Sequence, residues 1–519
     1  MSLIAETVAA VHLNPEDNVA IATRHLAAGE TLSAGPYSVT LGGPVKLGHK
    51  IALMPLKKGE RVLRYGQTIG FTTEAVDAGD WIHSHNLAAG EFRREYEYST
   101  DVPAPPTPIT DRTFDGYLRA DGRAGTRNYL AIVSSVNCSA HVSKFIARRV
   151  EETILKQFPN VDGVIPLMHK GGCAMQFGGE DHQQLVRTIS GFARHPNIGG
   201  YLIVGLGCET GSIPYLVDHG GLVQISGIGA ATERKTPPLL IMQDTGGTQK
   251  TIEAGVRLAA DLLPQLNAVK REKVPASKIV LGLNCGGSDG NSGITANPAL
   301  GVASDMLVAC GGSTVLAETP EIFGAEHLLT RRAKSREVGE KLVERIRWWE
   351  HYAGFFGVKL DNNPSPGNKE GGLTTIYEKS LGATAKAGST AMNAVYLYAE
   401  PITEPGMCVM DTPGFDPTSV TGLVAGGCNV VVFTTGRGSC FGCKPSPSIK
   451  VATNTPMYER MIDDMDINAG VILQGTPVEQ VGREIFDTII EVASGRKSKS
   501  EQLGYGEEEF APWQIGPTL

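Results

Sequence analysis

Short apolar runs alternate with stretches of helical period through most of the chain. Leu130–Val136, Val164–Met168 and Leu202–Gly207 read as buried strands. Between them lie a helix from about Ser139 to Leu155, one from Asp181 to Ala193, and one that follows Gly246 and runs to Leu263. A polar connector, Pro264–Ser277, leads into a second series. That series has strands at Ile279–Asn284, Thr314–Ala317, Cys408–Met410 and Asn429–Thr434, and helices at Asn297–Ala309, stopped by Gly311 and Gly312, and Thr418–Val424. Continuous apolar strands separated by helices imply βαβ units and mostly parallel sheets.

The first hundred residues differ. Asn18–Ala22, Tyr37–Thr40, Lys50–Leu53, Arg61–Leu63, Ile69–Thr72 and Trp81–His83 are short β-like runs broken by turn residues, which predicts a small β module. Pro103, Pro105, Pro106 and Pro108 exclude a helix or a central strand from Asp101–Asp111, so this stretch is read as a linker. The expected fold is α/β: a small amino-terminal β domain (1–95), a proline-rich linker (96–115), and two α/β units with mostly parallel sheets (116–265 and 278–519). The tail from Arg496 is polar and is expected to wrap a neighbour or be loosely ordered.

With 519 residues there is chain enough for more than one core, and 63 glycines and 30 prolines imply many tight loops. A net charge of −8 without a basic block gives no footing for nucleic acid or an anionic membrane. No stretch has the apolar length of a membrane span, and Met1–Glu16 lacks the pattern of a secretion signal, so a cytoplasmic protein is expected. Nine cysteines then read as reduced thiols or metal ligands.

Several of those cysteines follow strands. Cys138, Cys173, Cys208 and Cys285 each sit in a loop just beyond an apolar run, and loops at the carboxyl ends of parallel strands are where ligands bind. His169 and Cys173 at one strand exit, with Cys208 and Glu209 at the next, mix soft and hard donors suited to iron or zinc; Cys138 and Cys285 rank behind them as ligands. Cys440 and Cys443 form a CxxC pair in a Pro/Gly-rich loop, a thin basis for a redox or iron–sulfur site.

Four longer segments are individually distinctive: Gly205–Glu209 (GLGCE), Asn284–Pro298 (NCGGSDGNSGITANP), Glu318–Glu326 (ETPEIFGAE) and Asn363–Lys369 (NPSPGNK). Together they resemble the altronate/galactarate dehydratase family over essentially the whole chain. The amino-terminal module resembles that family's SAF (β-clip) domain, and His83-Ser-His-Asn86 is more similar to the altronate branch. The resemblance implies a hydro-lyase that dehydrates a sugar acid, best guess D-altronate, to a 2-keto-3-deoxy acid. It also implies a divalent metal, Fe(2+) first and Mn(2+) second.

Such an elimination needs a base for a weakly acidic proton, help for a departing hydroxide, and a grip on a carboxylate. Glu318, Glu321, Lys379 and Lys386 are candidate bases. Gly286, Gly287, Ser288 and Asp289, in a loop between a strand and a helix, are expected to hold substrate together with Arg437. His83 and His85, two apart on a strand-like run, are expected to close over substrate as proton donors on a mobile lid, with Asn86 at the edge. The partners expected are a small hydroxy acid and a second copy in a dimer. Galactarate, a sulfonated acid such as sulfolactate, and a non-catalytic sugar-acid sensor are the alternatives.

Overall fold

In the computed structural model, residues 8–90, 95–222, 224–226 and 233–515 are described. Residues 8–90 form the β module, with all six expected runs present as strands or parts of strands, and three further short pairings at Ala10–Val11, Thr31–Ala34 and Leu87–Ala88. Alternate residues of these strands point inward, so two small apolar clusters fill the module, one around Ile51 and Val39, the other around Val62 and Ile69.

Two parallel sheets carry the rest. The first contains β1 (Tyr129–Ser134), β2 (Gly163–Leu167), β3 (Ile198–Gly205) and β4 (Leu239–Ile241), in the order β2-β1-β3-β4. The second contains β5 (Val280–Cys285), β6 (Ser313–Leu316), β7 (Met392–Tyr396), β8 (Gly406–Met410), β9 (Val430–Thr435), β10 (Ser448–Ala452) and β11 (Ile467–Asn468), in the order β7-β8-β6-β5-β9-β10-β11. Every pairing within these two sheets is parallel. Their strands are buried on both faces, which is why they read as unbroken apolar runs. The fold is therefore α/β with an amino-terminal β-rich domain, as the pattern implied.

Helices α1 (Asn137–Thr153) and α2 (Glu180–Ala193) flank the first sheet; α3 (Ala296–Ala309), α4 (Ile376–Thr384) and α5 (Asp416–Gly426) belong to the second unit. The two units share an apolar cluster that joins Ile203 and Phe192 to Val420, Val424 and Phe433. Within it α2 and α5 lie side by side: a Cβ on Gly191 would come 2.2 Å from the Ala425 carbonyl oxygen, so glycine permits the close approach. Arg187 donates to the Tyr398 carbonyl, whose hydroxyl donates to the Thr418 carbonyl, so the two helices run in the same sense.

Three expectations change. The helix ending at Leu263 continues through Pro264 to Ala268, because Leu262, Leu263 and Leu266 are buried against the first sheet and that packing outweighs the lost hydrogen bond. The linker is fastened rather than free: Ser99 and Asp101 donate to the carbonyls of Thr330 and Arg331, and Ile109 to that of Ala309. The tail is packed as far as Ile515. Glu501 pairs with the buried Arg127, and Trp513 stacks on Trp349 with ring centroids 5.1 Å apart. Residues 516–519 lie outside the described part.

The β module is docked on the second α/β unit. Lys50 and Arg64 of the module both reach the Glu378 carboxylate of α4, with Lys50 Nζ 2.9 Å from each oxygen and all three side chains buried. Arg64 also donates to the Gly290 carbonyl and Lys50 to that of Gly372. A Cβ at Gly290 would stand 1.9 Å from the Gly48 carbonyl oxygen, so only glycine allows the two backbones to meet. With the linker fastened as well, the module is a docked domain and not a loosely tethered lid.

Candidate active site

β5 and β6 are neighbours, with Leu283 opposite Leu316, so the residues leaving their carboxyl ends meet. Cys285 ends β5, and Glu318 and Glu321 follow β6 across a single turn of 3-10 helix. Cys285 Sγ and one oxygen of each glutamate lie within 4.8 Å of one another, the only such trio of His, Cys, Asp or Glu donors among the described residues. α4 and the turn after it bring in two lysines. Lys386 Nζ stands 2.8 Å from Cys285 Sγ and 3.0 Å from Glu318 Oε2; Lys379 Nζ stands 2.6 Å from Glu321 Oε1 and 2.9 Å from Asn363 Oδ1.

Glu318 is held in an unusual posture. Its φ is +68°, a left-handed conformation that costs a non-glycine residue about 1–3 kcal/mol and persists where surrounding structure enforces it. Its Oε2 accepts from the Cys285 amide at 2.9 Å as well as from Lys386, while Oε1 is buried without any hydrogen-bond partner. That leaves one free carboxylate oxygen for a group the protein does not supply. Burial raises the Glu318 pKa, and Lys386 opposes the rise.

Asp416, at the amino end of α5, completes the group. Asn284 Nδ2 donates to its Oδ1 at 3.2 Å, and a Cβ on Gly286 would fall 2.3 Å from its Oδ2. Burial, reinforced by the charges of Glu318 and Glu321, pushes the Asp416 pKa up to about 8. It is thus a protonated acid at neutral pH beside the Lys386–Glu318 and Lys379–Glu321 pairs. Two ammonium groups already face the two glutamates, so a divalent cation placed among Cys285, Glu318 and Glu321 would sit against both lysines. The group suits proton transfer and binding of an anionic substrate better than metal binding.

Of the expected catalytic residues, then, Glu318, Lys379 and Lys386 converge with Glu321, and Cys285 joins them. Asp416, Asn284 and Asn363 complete the group without having been singled out as site residues. Asp416 shows in sequence only as an Asp-Pro at a helix start, which reads as capping.

Other expected residues play different parts. Both Asp289 oxygens are taken by Thr453, with Ser292, Asn291 and Asn454 adding bonds, so this buried carboxylate ties its loop to the Thr453 turn rather than facing substrate. The Ser288 carbonyl accepts from Asn368, which fixes the Asn363–Glu370 segment over the Gly286 loop. Gly287 and Arg437 are exposed beside each other; Arg437 pairs at 2.8 Å with Glu370 on the surface. Asn86 spends its amide inside its own turn, on the His83 amide and the Trp81 carbonyl, and does not face a ligand. His83 Nε2 lies 2.8 Å from the Lys369 carbonyl and His49 Nε2 lies 3.1 Å from that of Glu370. His83 and His49 stack, and exposed His85 lies against Trp81. His83 therefore holds the Asn363–Glu370 segment, while His85 stays outside.

The residues expected to ligate metal split. His169 is buried, with Nε2 3.0 Å from the Ser134 carbonyl and Nδ1 accepting from the Gly171 amide, and burial lowers its pKa to about 4. Glu209 accepts from Ser135 Oγ at 2.7 Å and from the Gly207 amide at 2.6 Å. His169 has both ring nitrogens engaged and each Glu209 oxygen accepts one bond, so both brace their loops. Cys138, Cys173 and Cys208 are free and exposed. Of the CxxC pair, Cys440 is exposed while Cys443 is buried in an apolar cluster, and burial raises its pKa.

The chain matches family descriptions along its length: the altronate/galactarate dehydratase SAF domain at 8–90, the D-galactarate dehydratase/altronate hydrolase second domain at 116–267, and the D-galactarate/altronate dehydratase C-terminal domain at 276–518. It is 38% identical over 512 residues to the altronate dehydratase of Bacillus subtilis (strain 168), covering 98% of this chain and 99% of the relative. It is 36% identical over 513 residues to the altronate dehydratase of Escherichia coli (strain K12), covering 98% and 99%. It is 38% identical over 504 residues to the L-threo-forming galactarate dehydratase of the same strain, covering 95% and 94%. No helix among the described residues is long and apolar enough to cross a membrane. End-to-end similarity and a buried acid–base group at the strand exits agree: the chain belongs to the altronate/galactarate dehydratase family of hydro-lyases.

Proposed function

We propose that this enzyme dehydrates D-altronate to 2-keto-3-deoxygluconate in an iron-dependent reaction, with the Cys285–Asp416 group as its acid–base centre. The observation that carries the reading is the buried Glu318 oxygen left without a partner in a cluster that also holds Lys386 and Cys285. Glu318 Oε1 takes the proton from carbon 2. Asp416 gives its proton to the hydroxide leaving carbon 3, and the C2–H electrons form the enol double bond. Lys379 and Lys386 stabilise the negative charge that builds on the substrate carboxylate as the C2–H bond breaks. Ferrous iron, with manganese second, would supply Lewis-acid help to the carboxylate and the leaving hydroxyl. The exposed thiols Cys138, Cys173 and Cys208 are the donors with capacity to hold it.

Galactarate is the second reading, favoured by an identity of 38% to a galactarate dehydratase, equal to that of the altronate dehydratase from Bacillus. An anaerobic panel of altronate, galactarate and sulfolactate with ferrous iron, followed by 2-keto acid formation, separates them: altronate is expected to give the highest kcat/KM. Chelation is expected to abolish turnover and added ferrous iron to restore it. Full activity in metal-stripped protein would defeat the iron dependence.

A further inference from the structure

Cys138, Cys173 and Cys208 sit beyond β1, β2 and β3, three adjacent strands of one parallel sheet, and all three thiols are exposed and outside any disulfide. The loops bearing them are stitched together. The Asn137 amide donates to the Gly171 carbonyl at 3.0 Å, the Gly211 amide to the Gly172 carbonyl at 3.3 Å, and Ser135 Oγ to Glu209 at 2.7 Å. His169 adds a bond to Ser134 from below. Packing is so close that a Cβ on Gly172 would fall 2.5 Å from the Ser135 carbonyl oxygen. Buried His and Glu braces are thus used to fix the position of three solvent-facing sulfurs, an arrangement that core packing does not call for.

A second observation points to a missing ligand. His182 is buried, its Nδ1 accepts from the Gly178 amide, and its Nε2 therefore carries a hydrogen with no acceptor. That Nε2 lies 3.8 Å from where a Cβ on Gly211 would stand, at the loop that carries Cys208. An orphaned donor here fits an acceptor bound above the loops.

The absence of a close donor trio in these loops argues against a single bound ion. No three His, Cys, Asp or Glu donors among these loops come within 4.8 Å of one another, as a single ion would require. The sulfurs that hold a cubane of iron and sulfide stand farther apart, since each binds a different iron. Cys138 lies in the first turn of the 17-residue α1, where the helix amino terminus favours a thiolate.

We propose that Cys138, Cys173 and Cys208 bind a [4Fe–4S] cluster whose fourth iron has no protein thiolate and is open to an oxygen of the hydroxy acid. The inference rests on the iron-dependent dehydratase reading above and states how that iron is held. The open iron would act as a Lewis acid for carboxylate and hydroxyl with no net redox change. α2 and α5 run in the same sense, so the loop after β2 and the Asp416 end of α5 open toward the same side. Phe177 and Phe415, 64% exposed each, stand at these two helix starts.

The test is anaerobic purification of the full chain and of Cys138→Ser, Cys173→Ser, Cys208→Ser and, as a control, Cys440→Ser. Iron, acid-labile sulfide, visible absorbance and Mössbauer spectra are measured alongside melting temperature. Wild type and Cys440→Ser are expected to hold about four irons and four sulfides per chain. Each of the other three is expected to lose most of both at a nearly unchanged melting temperature, since exposed thiols contribute little to packing. Iron without sulfide, or full cluster content in the Cys173→Ser and Cys208→Ser proteins, would overturn the cluster. The dehydratase reading fails separately, if cluster-loaded protein forms no 2-keto acid from any acid in the panel.

Discussion

Glu378→Gln is expected to be the most destabilising single change outside the apolar cores, by about 3–5 kcal/mol, because it leaves Lys50 and Arg64 buried without their counter-charge. Burial works to raise the Glu378 pKa, but Lys50 and Arg64 outweigh it and hold the carboxyl down at about 2. A folded-state pKa below the usual 4.5 means the contribution is full above about pH 4.5 and is lost as pH falls toward 2. Burial lowers the Lys50 pKa from its ordinary 10.5 to about 8, so between these values the unfolded chain holds the proton that the folded protein sheds, and this lysine adds no loss of stability on the alkaline side. Thermal unfolding and limited proteolysis of the variant should show a lower melting temperature and early release of the β module. An unchanged melting temperature and proteolytic pattern would mean that the module is held by other contacts.

Asp416→Asn carries the largest expected effect on turnover. The substitution keeps the size of the side chain and its place beside Asn284, yet removes the proton to be delivered to the leaving hydroxide. A fall in kcat of about 100-fold or more is expected, the usual worth of a positioned general acid. The sign of the pH dependence follows from the raised pKa: the proton is held through neutral pH and lost above about 8, so wild-type activity should decline on that alkaline side. The residual activity of the variant should lack that decline. Wild-type turnover by Asp416→Asn, or an unaltered alkaline limb, would assign the proton to another group.

Much of the architecture was legible because both main sheets are parallel and buried, so their strands appear as uninterrupted apolar runs ended by glycine-bearing loops. The convergence at the candidate site was only half legible. Glu318, Lys379 and Lys386 stand out as charged residues amid glycine-rich sequence, but their meeting depends on β5 and β6 being neighbours and on α4 crossing their ends, which local pattern does not encode. His169, Glu209, Asp289 and Asn86 misled for one shared reason. A polar residue in a strand-exit loop looks the same in sequence whether it faces a ligand or braces the loop, and these four are hydrogen-bonded to backbone and neighbouring side chains. Pro264 misled differently, since buried leucines around it carry the helix past a residue that normally ends one.

The central claim is that Glu318 and its partners remove the proton from carbon 2 and that the enol is completed on the enzyme. The most direct measurement is the turnover of D-altronate in deuterium oxide, with the 2-keto-3-deoxy product read by NMR for wild type and Glu318→Gln. The account predicts a single deuterium at carbon 3, in one configuration, from the wild type, and almost no product from a folded, metal-loaded Glu318→Gln protein. Equal product from both proteins, or a product that retains the hydrogen of carbon 2, would contradict it.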